Sequence, residues 1–363
     1  EAIEALQCVV DFAGKAPKAL YYLGNLWYDK RRYPTAIAAW ERSSREDETF
    51  PTVWRNLSLA YFNKMNRPDE AVALLEKAFR LDHTDARVLM ELDQLYKRLN
   101  RPHIERLCFL EQHIDIVMTR DDLYLEYVTL LNQTGQYREA IRRIDQRKFH
   151  PWEGGEGKVP AQYQLARLEL SKELINRKKY DDALALIDEC YIYPTHLGEG
   201  KLPGAQENDF NYYKAYILQQ QGRPEEAHSL FVKACSGNSQ PAAAMYYNDQ
   251  KPDKIFYQGL AYRKLGEEEK ARSRFNQLIT YGEEHLFDRF KMDYFAVSLP
   301  DLLIWEDDMD KKNRIHCNYL MALGHLGLGN RTKAEHFFDI AASMDNNHQG
   351  VQIHRKLMNT ILS

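Results

Sequence analysis

Seven acids stand near two tryptophans in stretches rich in glycine and proline: Glu153, Glu156, Glu199, Glu207, Asp209, Asp307 and Asp308, beside Trp152 and Trp305. Glycoside chemistry uses two carboxylates flanking a bond, roughly 5–10 Å apart, with aromatic platforms that stack on the ring. The same acids suit a plainer task, capping helices and tying loops. Asn208 or Asp209, for instance, is a natural N-cap for a helix over 210–221. Spacing along the chain leaves both readings open.

The tetrapeptide GEGK occurs twice, at 155–158 and 198–201. A phosphate loop needs a glycine five residues before the Gly-Lys pair and Ser or Thr after the lysine. Trp152 and Thr195 hold the first place, Val159 and Leu202 the second, so the expectation is a glycine turn between helices, with Lys158 and Lys201 near helix ends. The five cysteines (Cys8, Cys108, Cys190, Cys235, Cys317) contain no CxxC pair, which argues against a zinc knuckle or a disulfide framework. The twelve histidines include no HExxH. No nucleophile elbow or EF-hand loop is present. We therefore expect no catalytic residue, no metal site and no cofactor, and a chain that binds rather than one that catalyses.

The elements that must carry these residues follow a repeat. A small residue is followed four positions later by a large apolar one, and seven later by another small or apolar one. The pattern appears as Ala36-Trp40-Ser43, Ala71-Leu75-Ala78, Ala140-Ile144, Ala183-Ile187-Cys190, Ala227-Phe231-Ala234, Ala271-Phe275-Leu278 and Ala334-Phe338-Ala341. Upstream of each lies a second stripe, such as Leu20, Leu23, Gly24 and Trp27. Small residues facing each other let antiparallel helices approach near the lower end of the roughly 8–10 Å range. Gly135, Gly222, Gly266 and Gly329 recur in the turns between them, where a left-handed cap residue is wanted. Pro68 and Pro224 suit the first turn of the next helix.

With 49 Lys+Arg against 53 Asp+Glu and no basic block, nucleic acid is not an expected partner. No apolar run approaches the roughly 20 residues that span a bilayer, so no membrane partner is expected either. Scattered reduced thiols favour a reducing, cytoplasmic setting. Glu1 already lies inside a helical pattern, so the chain reads as a piece of a longer protein.

These motifs resemble the tetratricopeptide repeat (TPR): a small residue at the eighth position, Tyr or Trp at the eleventh, Ala at the twentieth and a large apolar residue at the twenty-fourth. The resemblance implies an all-α, right-handed superhelical solenoid of about eight helical hairpins over residues 1–363. Residues 1–148 are the more regular part, 149–313 carry insertions at 149–160, 193–209 and 281–313, and 314–363 form a C-terminal repeat and capping helix. The unit 86–118 keeps Leu89, Leu92 and Tyr96 but lacks the alanine. By the same resemblance, first helices line a concave face with Tyr21, Asn25, Tyr28, Arg55, Asn63, Asn132, Gln133, Lys172, Asn176, Tyr212, Tyr216, Gln219, Gln220, Arg263 and Lys264. Tyrosines mixed with amides suit a peptide backbone or a glycan. Tyr21 stands where the clamps for chaperone C-termini carry a lysine, so that clamp is not expected.

The inserts HPWEGGEGK (150–158), LGEGKLPGAQEND (197–209) and DYFAVSLPDLLIWEDD (293–308) resemble the TPR portion of long bacterial proteins bearing an N-terminal galactose-mutarotase-like β-sandwich of unknown function. That implies a carbohydrate-related setting. The expected function is a protein-interaction or scaffold module, whose groove and inserts bind a partner protein or peptide or its own missing N-terminal domain. The alternative is the carbohydrate-binding part of a carbohydrate-active enzyme.

Overall fold

The computed structural model describes residues 1–244, 249–289 and 304–358. Among them the chain forms nineteen α-helices and no strand. The order is α1 Ala2–Phe12, α2 Pro17–Asp29, α3 Tyr33–Glu46, α4 Pro51–Met65, α5 Pro68–Leu81, α6 Ala86–Arg98, α7 His103–Gln112, α8 Ile114–Val117, α9 Asp121–Gln133 and α10 Tyr137–Asp145. It continues with α11 Lys158–Asn176, α12 Tyr180–Cys190, α13 Asn208–Gln220, α14 Pro224–Ala234, α15 Pro252–Lys264, α16 Glu268–His285, α17 Met309–Gly327, α18 Arg331–Met344 and α19 Gln349–Leu357. Helices pair as hairpins: α2 with α3, α4 with α5, α11 with α12, α13 with α14, α15 with α16 and α17 with α18.

Every residue of the six triplets and of the pair Ala140-Ile144 is buried, none more than 3% exposed. The glycines expected to end helices all take left-handed backbone: Gly135, Gly222, Gly266 and Gly329 have φ between +75° and +79°. Pro68 and Pro224 open α5 and α14 as expected, and Pro17, Pro51 and Pro252 do the same for α2, α4 and α15. Proline lacks an N–H that would be unpaired there anyway.

The chain divides into two compact units. Among the described residues, the first contains Glu1–Leu123 and 304–307; the second contains 124–244, 249–289 and 308–358. Within the first, the unit lacking its alanine solves the crossing differently. Arg106 is fully buried and forks onto Asp93, with Nε and Nη2 donating to the two carboxylate oxygens at 3.0 and 2.7 Å. In the preceding hairpin the same interval, thirteen residues, joins Ser58 Oγ to the carbonyl of Ala71. A buried ion pair thus stands where neighbouring hairpins place two small residues.

Insert boundaries shift slightly from the sequence reading. Residues 281–285 complete α16, 309–313 open α17, and 290–303 lie outside the described residues. The helix expected over 210–221 begins at Asn208, so Asn208 and Asp209 sit inside its first turn and are not caps. Both are buried: the Asn208 amide donates to the carbonyls of Ala234 and Ser236 at 2.8 Å, and Asp209 pairs with Lys254 at 2.6 Å. A tie to the end of α14 for Asn208, and one to α15 of the next hairpin for Asp209, outcompete capping here.

Candidate functional site

In the first unit, α4 and α6 hold the non-helical segment 304–307 through its backbone. The Asn63 side-chain amide donates to the carbonyl of Ile304 at 2.8 Å and accepts from the N–H of Glu306 at 2.9 Å. Arg98 donates to the carbonyl of Trp305 at 3.1 Å and to the Asp307 carboxylate at 2.5 Å. Lys64 pairs with Glu306. The Trp305 indole is 1% exposed; its N–H donates to the carbonyl of Glu91 at 3.2 Å, and its ring meets Phe62 edge to face at 5.1 Å. Four consecutive residues are each held by at least one polar contact. Amides serve this well, because one Asn side chain offers both a donor and an acceptor to a main chain.

The acceptor beneath the indole is braced. The Glu91 carboxylate, fully buried, receives Arg55 in a two-pronged contact at 2.5 Å per bond and Arg87 at 2.9 Å. Such forked pairs fix geometry as well as charge. Arg55 also donates to Asn56, whose amide donates to Asn25, which accepts from the Trp40 indole N–H. A polar line therefore runs from α3 through α2 and α4 to α6. Burial lowers the Lys64 ammonium's basicity, yet the hydrogen bond and charge of Glu306 outweigh it and hold its pKa above the usual value. Burial raises the neighbouring Tyr28 phenol, against the opposing charge of Lys64.

The structure thus brings Asn25, Tyr28, Arg55 and Asn63 close together. Tyr21 packs edge-on against Phe50 at 5.1 Å at the side of this cluster. Lys64, Glu91 and Arg98 were missed. The last two lie in the unit without its alanine, where no inner-face register could be read.

In the second unit two of the expected inner-face residues, Asn132 and Gln133, connect to the chain's own C-terminal region. The Asn132 amide donates to the Gln162 side chain at 2.9 Å, and Gln162 donates in turn to Gln349 at 2.8 Å. Gln133 donates to the carbonyl of Asn347, and Lys356 to the Tyr137 hydroxyl. His354, buried on α19, lies 3.0 Å from the Tyr319 hydroxyl. Lys172 pairs with Glu169 at 2.5 Å. Tyr212 is core rather than surface, edge-on to Phe231. Tyr216 is half-buried with the Lys264 ammonium over its ring at 5.7 Å, and Asn176 is exposed.

The first two inserts pack on each other. The Phe149 N–H donates to the carbonyl of His196 at 2.8 Å, and the Gly157 N–H donates to Glu199 at 2.7 Å. A Cβ on Gly198 would stand 2.7 Å from the Phe149 carbonyl, so glycine is required for this approach. Trp152 folds over Gly155, leaving no room for a side chain there. Glu153 and Glu156 are exposed. Burial, with the Glu156 charge adding to it, raises the Glu199 carboxyl against the Gly157 hydrogen bond. The other acids have structural partners: Glu207 pairs with Lys201, Asp209 with Lys254 and Asp307 with Arg98, while Asp308 caps α17 by accepting from the Lys311 N–H. Trp305, expected as a stacking platform, is buried and presents no free face. That corrects its assignment to a sugar site.

Tetratricopeptide-repeat family models match residues 51–85 and 255–281, that is, α4–α5 and most of α15–α16. The chain therefore carries tetratricopeptide repeats, one matched in each unit. Among solved structures it is similar to YrrB, a TPR protein with an unusual peptide-binding site, at 15% identity over 52% of this chain and 91% of that one, TM-score 0.39. It is similar to a chain of Naa15/Naa10 bound to HypK-THB at 12% identity over 96% and 61%, TM-score 0.45. A tetratricopeptide repeat protein from Parabacteroides merdae aligns at 12% identity over 95% and 99%, TM-score 0.44. Among the described residues no helix is long and apolar enough to cross a membrane.

Proposed function

We propose that this chain is a protein-interaction scaffold whose first unit takes up a protein segment along α4 and α6. The observation that carries the reading is the two-way pairing of the Asn63 amide with the main chain of Ile304 and Glu306. A side chain spaced to read backbone rather than side chains suits a segment of a partner protein. The partner is a separate protein or peptide, or the chain's own N-terminal domain. The buried thiols of Cys235 and Cys317, pushed up to about 12 by burial, are poor nucleophiles and fit a binding role in a reducing, cytoplasmic compartment.

Panning a random peptide library on the immobilised chain, both wild type and Trp305→Ala, tests this. Enriched peptides should lose at least tenfold in affinity when Asn63→Ala is added. Failure to enrich any peptide, or enrichment indifferent to Asn63, would overturn the reading.

A carbohydrate role rests on one observation, the raised Glu199 carboxyl beside Glu156 in an insert that also carries Trp152. Glycan titration of the wild type against Glu199→Gln tests it. Binding that survives the substitution, or no binding at all, ends it.

A further inference from the structure

We propose that the α4–α6 face is a recognition site for peptides in which tryptophan is followed by two acids, and that residues 304–307 are its built-in occupant. This rests on the scaffold reading above and deepens it by naming the ligand class.

Three features of the site select three features of the occupant. The space beside Phe62 takes an indole whole, since Trp305 is 1% exposed, and the Glu91 carbonyl accepts its N–H. Phenylalanine there would forgo this bond and fill less of the space. Lys64 and Arg98 then meet carboxylates at the next two positions, Glu306 and Asp307. Their charges are opposite and their spacing is set by the register of Asn63 on the main chain between them. None of these contacts depends on the covalent link: the partners lie more than 200 residues apart in sequence. The receiving side is also held in shape from behind, because Arg55 and Arg87 fix Glu91 and Asn56 ties Arg55 to Asn25. Preorganisation of this kind lowers the cost of binding in trans.

A tethered occupant acts at an effective concentration on the order of millimolar. An external peptide must compete against that, so the wild-type chain should bind weakly and a chain with a disabled occupant should bind well.

The test uses the full chain and a fluorescein-labelled peptide IWEDD, the sequence of residues 304–308. Binding to Trp305→Ala should be at least tenfold tighter than to wild type. It should fall at least tenfold when Asn63→Ala or Arg98→Glu is added, and when the peptide carries Phe for Trp or amides for its acids. Should Trp305→Ala lose helicity by circular dichroism, the double variant Glu306→Ala, Asp307→Ala takes its place; it keeps the buried indole but loses both ion pairs, so its segment is held less firmly and IWEDD should displace it more readily than in the wild type. In the wild type, excess peptide should speed amide exchange at 304–308 by displacing the segment. No saturable binding to either variant, or binding indifferent to the indole and the acids, overturns the proposal. If library peptides of another pattern bind through Asn63 while IWEDD does not, the scaffold reading stands and this assignment falls.

Discussion

The Trp40 indole lies directly over Gly24, in the space a Cβ on that glycine would need. The same relationship returns in the other unit between Gly259 and Phe275, again sixteen residues apart. In both, a glycine on the first helix of a hairpin lets the large residue of the second helix cross its backbone. Neither ring can move away cheaply, because Trp40 is 3% exposed and Phe275 fully buried. Gly24→Ala and Gly259→Ala should each destabilise by about 1–3 kcal/mol through overpacking. Urea unfolding checks this; Gly14→Ala, where nothing lies within 4 Å of the new Cβ, is the control and should change little.

The buried pair Asp93–Arg106 makes a different demand. Arg106→Ala takes its forked partner from a carboxylate that is 1% exposed, and should cost about 3–5 kcal/mol. Adding Asp93→Ser removes that buried charge and moves the crossing toward the Ser58–Ala71 arrangement seen one hairpin earlier. The double variant should be more stable than Arg106→Ala alone by at least about 1 kcal/mol. A double variant as weak as the single one would show that packing by the arginine stem, not charge, is what the site needs.

Four turns place a side-chain-bearing residue where their counterparts carry glycine: Arg31, Asn66, Asn100 and Lys178, with φ between +51° and +58°. Left-handed backbone costs a non-glycine residue roughly 1–2 kcal/mol, partly offset by the greater freedom glycine loses on folding. Lys178→Gly should therefore stabilise by a few tenths to about 1 kcal/mol, and Gly222→Ala destabilise by about 1 kcal/mol. Thermal midpoints of the two variants should move in opposite directions.

Acid should loosen the second unit through two imidazoles, His354 buried and His316 half-buried. Burial depresses both His354 and His316 to about 4; the Lys172 charge adds to this at His354, while its Gly350 contact and the charges of Glu169 and Asp209 oppose it. At His316 the hydrogen bond to the Ala242 carbonyl and the Asp249 charge work the other way, and His348 and Lys251 add to the depression. The unfolded chain binds the proton near the ordinary value of about 6.5. Between these values the unfolded state carries more protons, so the contribution is whole above about 6.5 and is lost as pH falls toward 4. Each histidine accounts for on the order of 2–3 kcal/mol. Amide protection in α15, α17 and α19, taken relative to the intrinsic exchange rate at each pH, should fall between pH 7 and 5, and less so in His354→Gln. Identical pH profiles for the two chains would contradict the assignment.

The hairpins were legible in the sequence because the helix crossing admits few residue types: Ala71, Ala183 and Ala334 could be found by spacing alone, as could the left-handed Gly222 and Gly266. The same register predicted that Tyr28 and Arg55 share one face of the first helices, and the two lie in one polar cluster. Glu91 and Arg98 were not, because Arg106 replaces the alanine that would have anchored their unit. Trp305 looked like a sugar platform beside Asp307 and Asp308, since no local period reports that an indole is buried by residues more than 200 positions away. Asn208 and Asp209 looked like caps for a related reason. An acid or amide at a helix start suits capping and bonding to another helix equally, and only the position of Ala234 and Lys254 in space separates them. The docking of Asn347, Gln349 and Lys356 onto Gln133, Gln162 and Tyr137 had no sequence signal at all.

The central claim is that the Asn63 amide holds a polypeptide backbone, and the amide proton of Glu306 reports on it directly. Hydrogen exchange at Glu306 should be slowed at least tenfold relative to the free peptide IWEDD, and the protection should vanish in Asn63→Ala while α4 and α6 keep theirs. Exchange at Glu306 as fast as in the free peptide, or protection untouched by Asn63→Ala, would contradict the account.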